Sequence, residues 1–355
     1  MNQYIIFVFL SLIYCKINAQ NDRFFKIAFG SCGHQDHELP IFNNIVSHNP
    51  DVFVFLGDNI YGDTKSMSVL RSKYKKLKQK SSYQNLKKHV EIIATWDDHD
   101  YGWNDIGKHY KCKEKSKEIF LDFFEEPKNS TRRLHKGIYH SYEYIKNGNT
   151  IQIILLDGRT FRDDLKKYNG EFKNDRRYFY KLDYSPHPLS KNPTLLGEQQ
   201  WKWLEKELSK PADVRIIGSG TQFGIEFNGY EAWANFPNEQ LKLLKLIKKT
   251  RANGVLFISG DVHYAEISKL ENSYTYPIYD ITASGLSSTW HFATPNKNRI
   301  EGPVMENHFG LLSINCSNPS PTIKAEIWDI KDNQRVEYTI ELEEITIKKH
   351  LHLSE

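Results

Sequence analysis

Three apolar runs in this chain each end abruptly in acids and histidines, and that repetition constrains the fold more than any other feature. Val52-Phe-Val-Phe-Leu56 is built of β-branched and aromatic residues, enters after Asn49-Pro50 and breaks at Gly57. Its length and composition predict a strand covered on both faces. Asp58, Tyr61 and Asp63 follow at once, just past the carboxyl end of the strand, where open α/β sheets hold their ligands. The run from Val90 to Thr95 delivers Trp96-Asp-Asp-His-Asp100, and the run from Val255 to Ser259 delivers Asp261 and His263. An earlier strand, Phe24 to Phe29, ends at Gly30-Ser-Cys-Gly-His34, with glycines that permit a sharp turn.

Strand and helix patterns alternate through the first two thirds of the chain. Pro40 to His48, Ser66 to Lys80, Lys115 to Phe124, Leu196 to Leu208 and Glu239 to Thr250 read as helices. Tyr139 to Tyr144 and Thr150 to Leu156 read as a hairpin turning at Asn147-Gly148. The second arm of that hairpin leads to Asp157-Gly-Arg159. Lys166 to Pro193 is polar, aromatic and irregular, which predicts a surface excursion. Strands are further expected at Val214 to Ile217, Tyr279 to Leu286, Leu311 to Ile314, Ile323 to Trp328 and Val336 to Leu342. The fold class expected is α/β, two sheets packed together with helices outside and a strand-rich C-terminal part.

At 355 residues, 39% hydrophobic and 26% charged, the chain has the composition of a folded protein, and a formal charge of +4 gives no case for nucleic acid as the partner. The apolar run Tyr4 to Tyr14 followed by Ala19 reads as a secretory signal peptide over residues 1–20, although no Lys or Arg precedes it. The remaining 21–355 is taken as one domain, secreted or periplasmic, with a membrane anchor the lesser alternative. No later segment is long and apolar enough to span a bilayer. Beyond the leader lie Cys32, Cys112 and Cys316, an odd number in an oxidising compartment. Cys32 is expected to serve as a metal thiolate, with Cys112 and Cys316 free or paired.

Gathered at one sheet edge, Cys32, Asp58, Tyr61, Asp98, Asn104, Asp261 and His263 would place several carboxylates side by side. Buried carboxylates repel and are costly unless a cation sits among them. A dinuclear metal centre resolves this, with Asp58 as the bridge and a bound water made acidic enough to attack phosphorus. Arg159 could offer a planar fork to phosphoryl oxygens, and His99 could protonate the leaving alkoxide.

Phe29-Gly-Ser-Cys32, Gly57-Asp-Asn-Ile-Tyr61, Trp96-Asp-Asp-His-Asp100, Leu156-Asp-Gly-Arg159, the Gly-Glu-Gln-Gln-Trp-Lys-Trp-Leu helix and Ser259-Gly-Asp-Val-His263 resemble, in order, the motifs of the alkaline phosphatase D family. That family is a branch of the calcineurin-like metallophosphatases. The resemblance implies a four-layer α-β-β-α sandwich and a dinuclear site hydrolysing phosphomonoesters or phosphodiesters. It assigns Cys32, Asp58, Tyr61 and His263 to one metal and Asp58, Asp98 and Asp261 to the other, with His99 as proton donor and Asn104 as a further ligand. Gln222 and Arg159 fall in phosphate-binding or supporting positions. Cys32, Asp98 and Asp261 stand where the wider superfamily carries Asp-x-His, Asn and His. A thiolate and a phenolate favour ferric iron, and the carboxylate side favours calcium, as the resemblance also implies; zinc and manganese stay open. The partner expected is a small or polymeric phosphate ester. The alternatives are a phospholipase D-like phosphodiesterase acting on lipid or cell-wall esters, and a metal-binding relative without activity.

Overall fold

The computed structural model describes residues 23–170, 183–317 and 322–347. In chain order, β1 (Phe24–Gly30), α1 (Ile41–Ser47), β2 (Val52–Leu56), α2 (Met67–Gln79), α3 (Ser81–His89) and β3 (Glu91–Thr95) build the first half-sheet and its helical cover. Then come α4 (Asp98–Tyr101), α5 (Lys113–Phe123), α6 (Thr131–Leu134), β4 (His140–Lys146), β5 (Asn149–Leu155), and the short pair β6 (Lys166–Lys167) and β7 (Tyr184–Ser185). The rest is α7 (Gly197–Leu208), β8 (Val214–Ser219), α8 (Pro237–Thr250), β9 (Val255–Ser259), β10 (Ala265–Leu270), β11 (Ile278–Ala283), β12 (Arg299–Val304), β13 (His308–Asn315), β14 (Thr322–Asp329) and β15 (Gln334–Glu341).

Two mixed sheets result, ordered β15-β14-β13-β1-β2-β3 and β12-β10-β11-β9-β8-β5-β4. The twofold alternation of side chains sorts the core. Ile27, Phe29, Val54 and Leu56 join the apolar cluster that also holds Ile153, Ile216, Phe257 and Ile281 of the second sheet. Ala28, Phe53 and Phe55 turn the other way, into a cluster with Ile41 and Phe42 of α1, Leu70 and Tyr74 of α2 and Phe120 of α5. On the second sheet, Trp201 and Leu204 of α7 and Leu243 and Ile247 of α8 are buried in the larger cluster. Each such side chain removed from water is worth roughly 1.5–3 kcal/mol, so the layers are held by their facing stripes. The arrangement is the expected α/β sandwich of two sheets with helices outside.

The hairpin forms at the predicted turn, with Asn147 at φ 50° and Gly148 at φ 80°, the left-handed pair that such a turn requires. Two departures are local. The basic helix expected over 66–80 ends at Lys80, whose extended backbone (φ −70°, ψ 131°) starts a second helix, α3, that sequence reading left unassigned. Strands β10 and β12 also lacked a signal: Glu266 and Ser268 are fully buried polar residues in β10, and β12 contains Gly302-Pro303. Pairing to distant strands, not propensity, decides such segments. The leader at 1–20 and residues 171–182 of the surface excursion lie outside the described residues. Among the described residues, no helix is long and apolar enough to cross a membrane, and Cys32, Cys112 and Cys316 are all free thiols.

Candidate metal centre

The parallel strands β1, β2 and β3 of one sheet and β8, β9 and β11 of the other bring their carboxyl ends together. The loops that follow are laced by backbone hydrogen bonds: Gly33 N to Asp58 O at 2.9 Å, Ser31 N to Ala283 O at 3.2 Å and Gly260 N to Gly220 O at 3.1 Å. The chain turns so tightly there that Cys32 (φ 58°), Asp58 (φ 49°), Asp261 (φ 76°) and His263 (φ 60°) all adopt left-handed backbone. For side chains other than glycine this costs on the order of 1–2 kcal/mol per residue, and such strain concentrates at functional sites. Gly57 (φ 104°) precedes Asp58, and a Cβ there would collide with the Asp97 Cβ.

Two groups of metal-binding side chains share one residue. Cys32, Asp58 and His263 form the first, and Asp58, Asp98 and His99 the second, the ligand atoms of each group lying within 4.8 Å of one another. The Cys32 Sγ is 3.5 Å from Asp58 Oδ2 and 3.2 Å from Ser284 Oγ. Tyr61 adds its hydroxyl 3.5 Å from His263 Nε2. The Nδ1 of His263 donates to the carbonyl of Ser288 at 2.9 Å, which fixes the tautomer and leaves the Nε2 lone pair facing the site. A third group, Asp98, Asp105 and Glu231, continues from Asp98.

The electrostatics are those of anions pressed together. Burial alone would raise the Cys32 thiol, but the attraction of His263 beside it and the hydroxyls of Ser284 and Ser31 hold it down at about 6. Burial, then the neighbouring Cys32 and Asp98, push the Asp58 carboxyl well above the carboxylate range. Burial and the carboxylates of Asp97, Glu231 and Asp98 do the same to Asp261. Asp98 opposes its own burial through Arg159 and His99 and is held down at about 2. His99 is raised to about 9: burial lowers it most, but the 2.6 Å hydrogen bond from its Nδ1 to Asp63 Oδ1 and the charges of Asp98, Asp63 and Cys32 together outweigh that.

A metal pair fits these residues on one direct observation. Asp58 Oδ1 is buried without a hydrogen-bond partner, and so is Asp97 Oδ2. Buried polar atoms are almost always satisfied, and an unpartnered carboxylate oxygen among a thiol, an imidazole and further carboxylates fits a cation ligand.

Of the residues expected from sequence, Cys32, Asp58, Asp98, His99 and His263 meet in the two groups, Tyr61 joins through His263, and Asp261 reaches Cys32 Sγ through its backbone carbonyl at 3.8 Å. Arg159 is completely buried, with Nε 2.5 Å from Asp97 Oδ1 and Nη1 2.8 Å from Glu231 Oε2. Its remaining Nη2 lies 3.9 Å from Asp98 Oδ1 and has no hydrogen-bond partner. Two of its nitrogens are thus engaged by carboxylates, which fits the supporting position, one of the two expected for it. Asn104 is exposed and its amide donates to Asp105 Oδ2 at 2.7 Å. The neighbouring Asp105 has its ligand atom in the acidic group. Gln222 is fully buried and bonded to Glu266 and Thr282. Asp100 is a structural node that accepts from Asn59 N, Asp97 N and Tyr74 Oη.

Sequence reasoning missed Asp105, Glu231 and the Ser284 and Ser288 contacts. Glu231 sits in an irregular loop before Trp233, with no strand tip to mark it. Asp105 was legible only as a second acid beyond the Asp-His pair.

Comparison with known proteins gives the family and the fold. A family model described as PhoD-like phosphatase matches residues 27–299. The alkaline phosphatase D of Bacillus subtilis (strain 168) is 25% identical over 286 residues, covering 68% of this chain and 46% of its own length. The chain thus spans about half the length of that curated relative. A solved structure of PhoD superposes with a TM-score of 0.66 at 16% identity, over 90% of this chain and 72% of the other. A dimetal phosphatase from Danio rerio superposes with a TM-score of 0.51 at 14% identity, over 91% and 99%. At these identities the two superpositions establish the fold.

Proposed function

The chain belongs to the PhoD-like phosphatase family, and from that premise we propose that it is a metal-dependent phosphoesterase, secreted or periplasmic, hydrolysing phosphomonoesters or phosphodiesters. The observation that carries the reading is the sharing of Asp58, with its orphaned buried Oδ1, between two ligand groups. Cys32, Tyr61 and His263 would hold one ion with Asp58, and Asp98 and Asp261 would hold the other, extended by Asp105. The thiol and phenol favour ferric iron, and the oxygen-rich side favours calcium.

When bound, such a pair supplies Lewis acidity and a nucleophilic water near neutral pH. The protein's own contribution lies around it. Asp63 fixes the His99 ring through Nδ1, leaving Nε2 to hand a proton to the departing alkoxide. The hydrogen bond to Ser288 O turns the His263 lone pair inward. Tyr61, packed between His34 at 4.8 Å and His99 at 4.4 Å, is locked in its rotamer. Arg159 offsets part of the charge of Asp97, Glu231 and Asp98 from below, so the acids stay in place before any ester arrives.

The test is elemental analysis of the purified protein, paired with assays on p-nitrophenyl phosphate and bis-p-nitrophenyl phosphate with and without calcium. Stoichiometric iron and calcium-dependent turnover are expected, and the ratio of the two rates assigns monoesterase or diesterase. A protein that binds no metal and turns over neither ester after reconstitution with iron, calcium, zinc or manganese would sink the proposal.

A further inference from the structure

We infer that Ser284 is a positioning residue for the metal centre: its hydroxyl donates to the Cys32 thiolate while accepting from the backbone of His263, so one side chain sets the donor strength of one ligand and the place of another. The inference rests on the reading above, in which Cys32 and His263 hold the same ion, and adds the means by which the protein adjusts that ion.

Ser284 stands directly after β11 and is completely buried. Its backbone is pinned from the other sheet. Ser284 N donates to His308 Nε2 at 3.0 Å, and His308 Nδ1 donates to Glu306 O at 2.7 Å. His308 N, at the start of β13, returns a hydrogen bond to Gly285 O at 3.0 Å. A Cβ on Gly285 would collide with the His308 ring, so the two segments are in direct contact.

The direction of the Ser284 hydroxyl proton follows by elimination. A serine hydroxyl has one proton to give and two lone pairs. Its Oγ accepts from His263 N at 2.9 Å, which occupies a lone pair. The other side-chain contact is Cys32 Sγ, at 3.2 Å. A thiolate that holds a metal has no proton left, so the sulfur accepts and Ser284 donates. The hydroxyl of Ser31 is farther from the same sulfur, at 3.7 Å. A hydrogen bond to a metal-bound sulfur withdraws electron density from it and leaves the ion a stronger Lewis acid, one of the levers by which proteins tune thiolate-bound metals. The His263 ring is oriented separately, through Ser288 O, so Ser284 fixes the backbone of that ligand and Ser288 its imidazole.

The test uses cobalt(II) as the probe, added to the full chain after its own metals are removed with a chelator. A thiolate bound to cobalt gives a sulfur-to-metal charge-transfer band in the near ultraviolet, and Cys32→Ser, which should abolish it, separates Cys32 from Cys112 and Cys316. Ser284→Ala is expected to move the band to longer wavelength, because the sulfur electrons are no longer held down, and to weaken cobalt binding about tenfold. Ser284→Thr, which keeps the hydroxyl, should restore the wavelength, and Ser31→Ala should shift it less than Ser284→Ala does. Resonance Raman of wild type gives a second reading that needs no variant to fold: the cobalt–sulfur stretch should shift on exchange into deuterium oxide. An unmoved band in Ser284→Ala, or a larger shift in Ser31→Ala, overturns the inference, even where cobalt affinity falls, since weaker binding alone marks only a structural prop. A stretch insensitive to deuterium overturns it as well. Absence of any Cys32-dependent band in wild type removes Cys32 from the metal centre, and the inference falls with that assignment. If the band responds as expected but the reconstituted protein hydrolyses no ester, the phosphoesterase reading fails and Ser284 keeps its role.

Discussion

The guanidinium of Arg159 and the carboxylate of Asp97 are paired at 2.5 Å with both side chains essentially removed from water. Asp97 directly precedes Asp98, so the pair anchors the turn that aims Asp98 at Asp58. Removing one partner of such a pair leaves the other charged and buried. Arg159→Met is expected to destabilise the fold by roughly 3–5 kcal/mol, read by urea unfolding. It should also lower occupancy of the metal held by Asp98 more than that held by Cys32. Unchanged unfolding and metal content would show that the brace is dispensable.

Asp58→Asn should empty both halves of the centre together, since Asp58 alone belongs to both groups. Elemental analysis should find both metals reduced, with activity down by more than about a hundredfold, the scale of losing a Lewis-acid centre. In the metal-free protein the substitution removes one of several repelling acids. A chelator should therefore lower the melting temperature of wild type but not of Asp58→Asn.

The hydrogen bond from His99 Nδ1 to Asp63 Oδ1 gives a leaving-group prediction. Asp63→Asn keeps the shape but loosens the imidazole. Esters with poor alkyl leaving groups, which need a proton as the bond breaks, should slow by about tenfold or more, while p-nitrophenyl esters should change little. Equal slowing of both classes would remove His99 from the role of proton donor.

His308 makes stability depend on pH. It is fully buried, accepts from Ser284 N through Nε2 and donates from Nδ1 to Glu306 O, so the fold requires the neutral ring. Burial depresses it from 6.5 to about 4. Below 6.5 the unfolded chain binds the proton first, so stability falls as pH drops and the loss is complete near pH 4. At about 1.4 kcal/mol per tenfold difference in acidity, this one residue accounts for roughly 3 kcal/mol. Urea unfolding between pH 7 and 4 should show that slope, and His308→Gln should flatten it.

The parts of the site that were legible in the sequence are those with a local cause. Cys32, Asp58, Asp98 and His263 stand at strand ends because an apolar run that stops at a glycine or a sharp turn must expose what comes next. The hairpin at Asn147-Gly148 was legible for the same reason, since its left-handed backbone is a property of the two residues themselves.

What no short stretch encodes is which side chain another element will meet. Arg159 reads identically whether it faces a substrate or lies beneath the site; its burial against Asp97 and Glu231 depends on two loops from different sheets. Asn104 and Asp105 are adjacent, and only the left-handed turn at Asp105 (φ 57°) places the ligand atom of Asp105 in the acidic group while Asn104 stays exposed. Glu231 and the Ser288 partner of His263 come from irregular segments, and Ser284, the partner of Cys32, stands directly after β11. The sequence by itself determined the strands, their period-two sorting and the chemistry carried at their ends, because these follow from local sterics and the hydrophobic pattern. The tertiary structure alone decided which acids share a cation and which are neutralised by arginine, because electrostatic pairing in a buried site is settled by distance in space and not by distance along the chain.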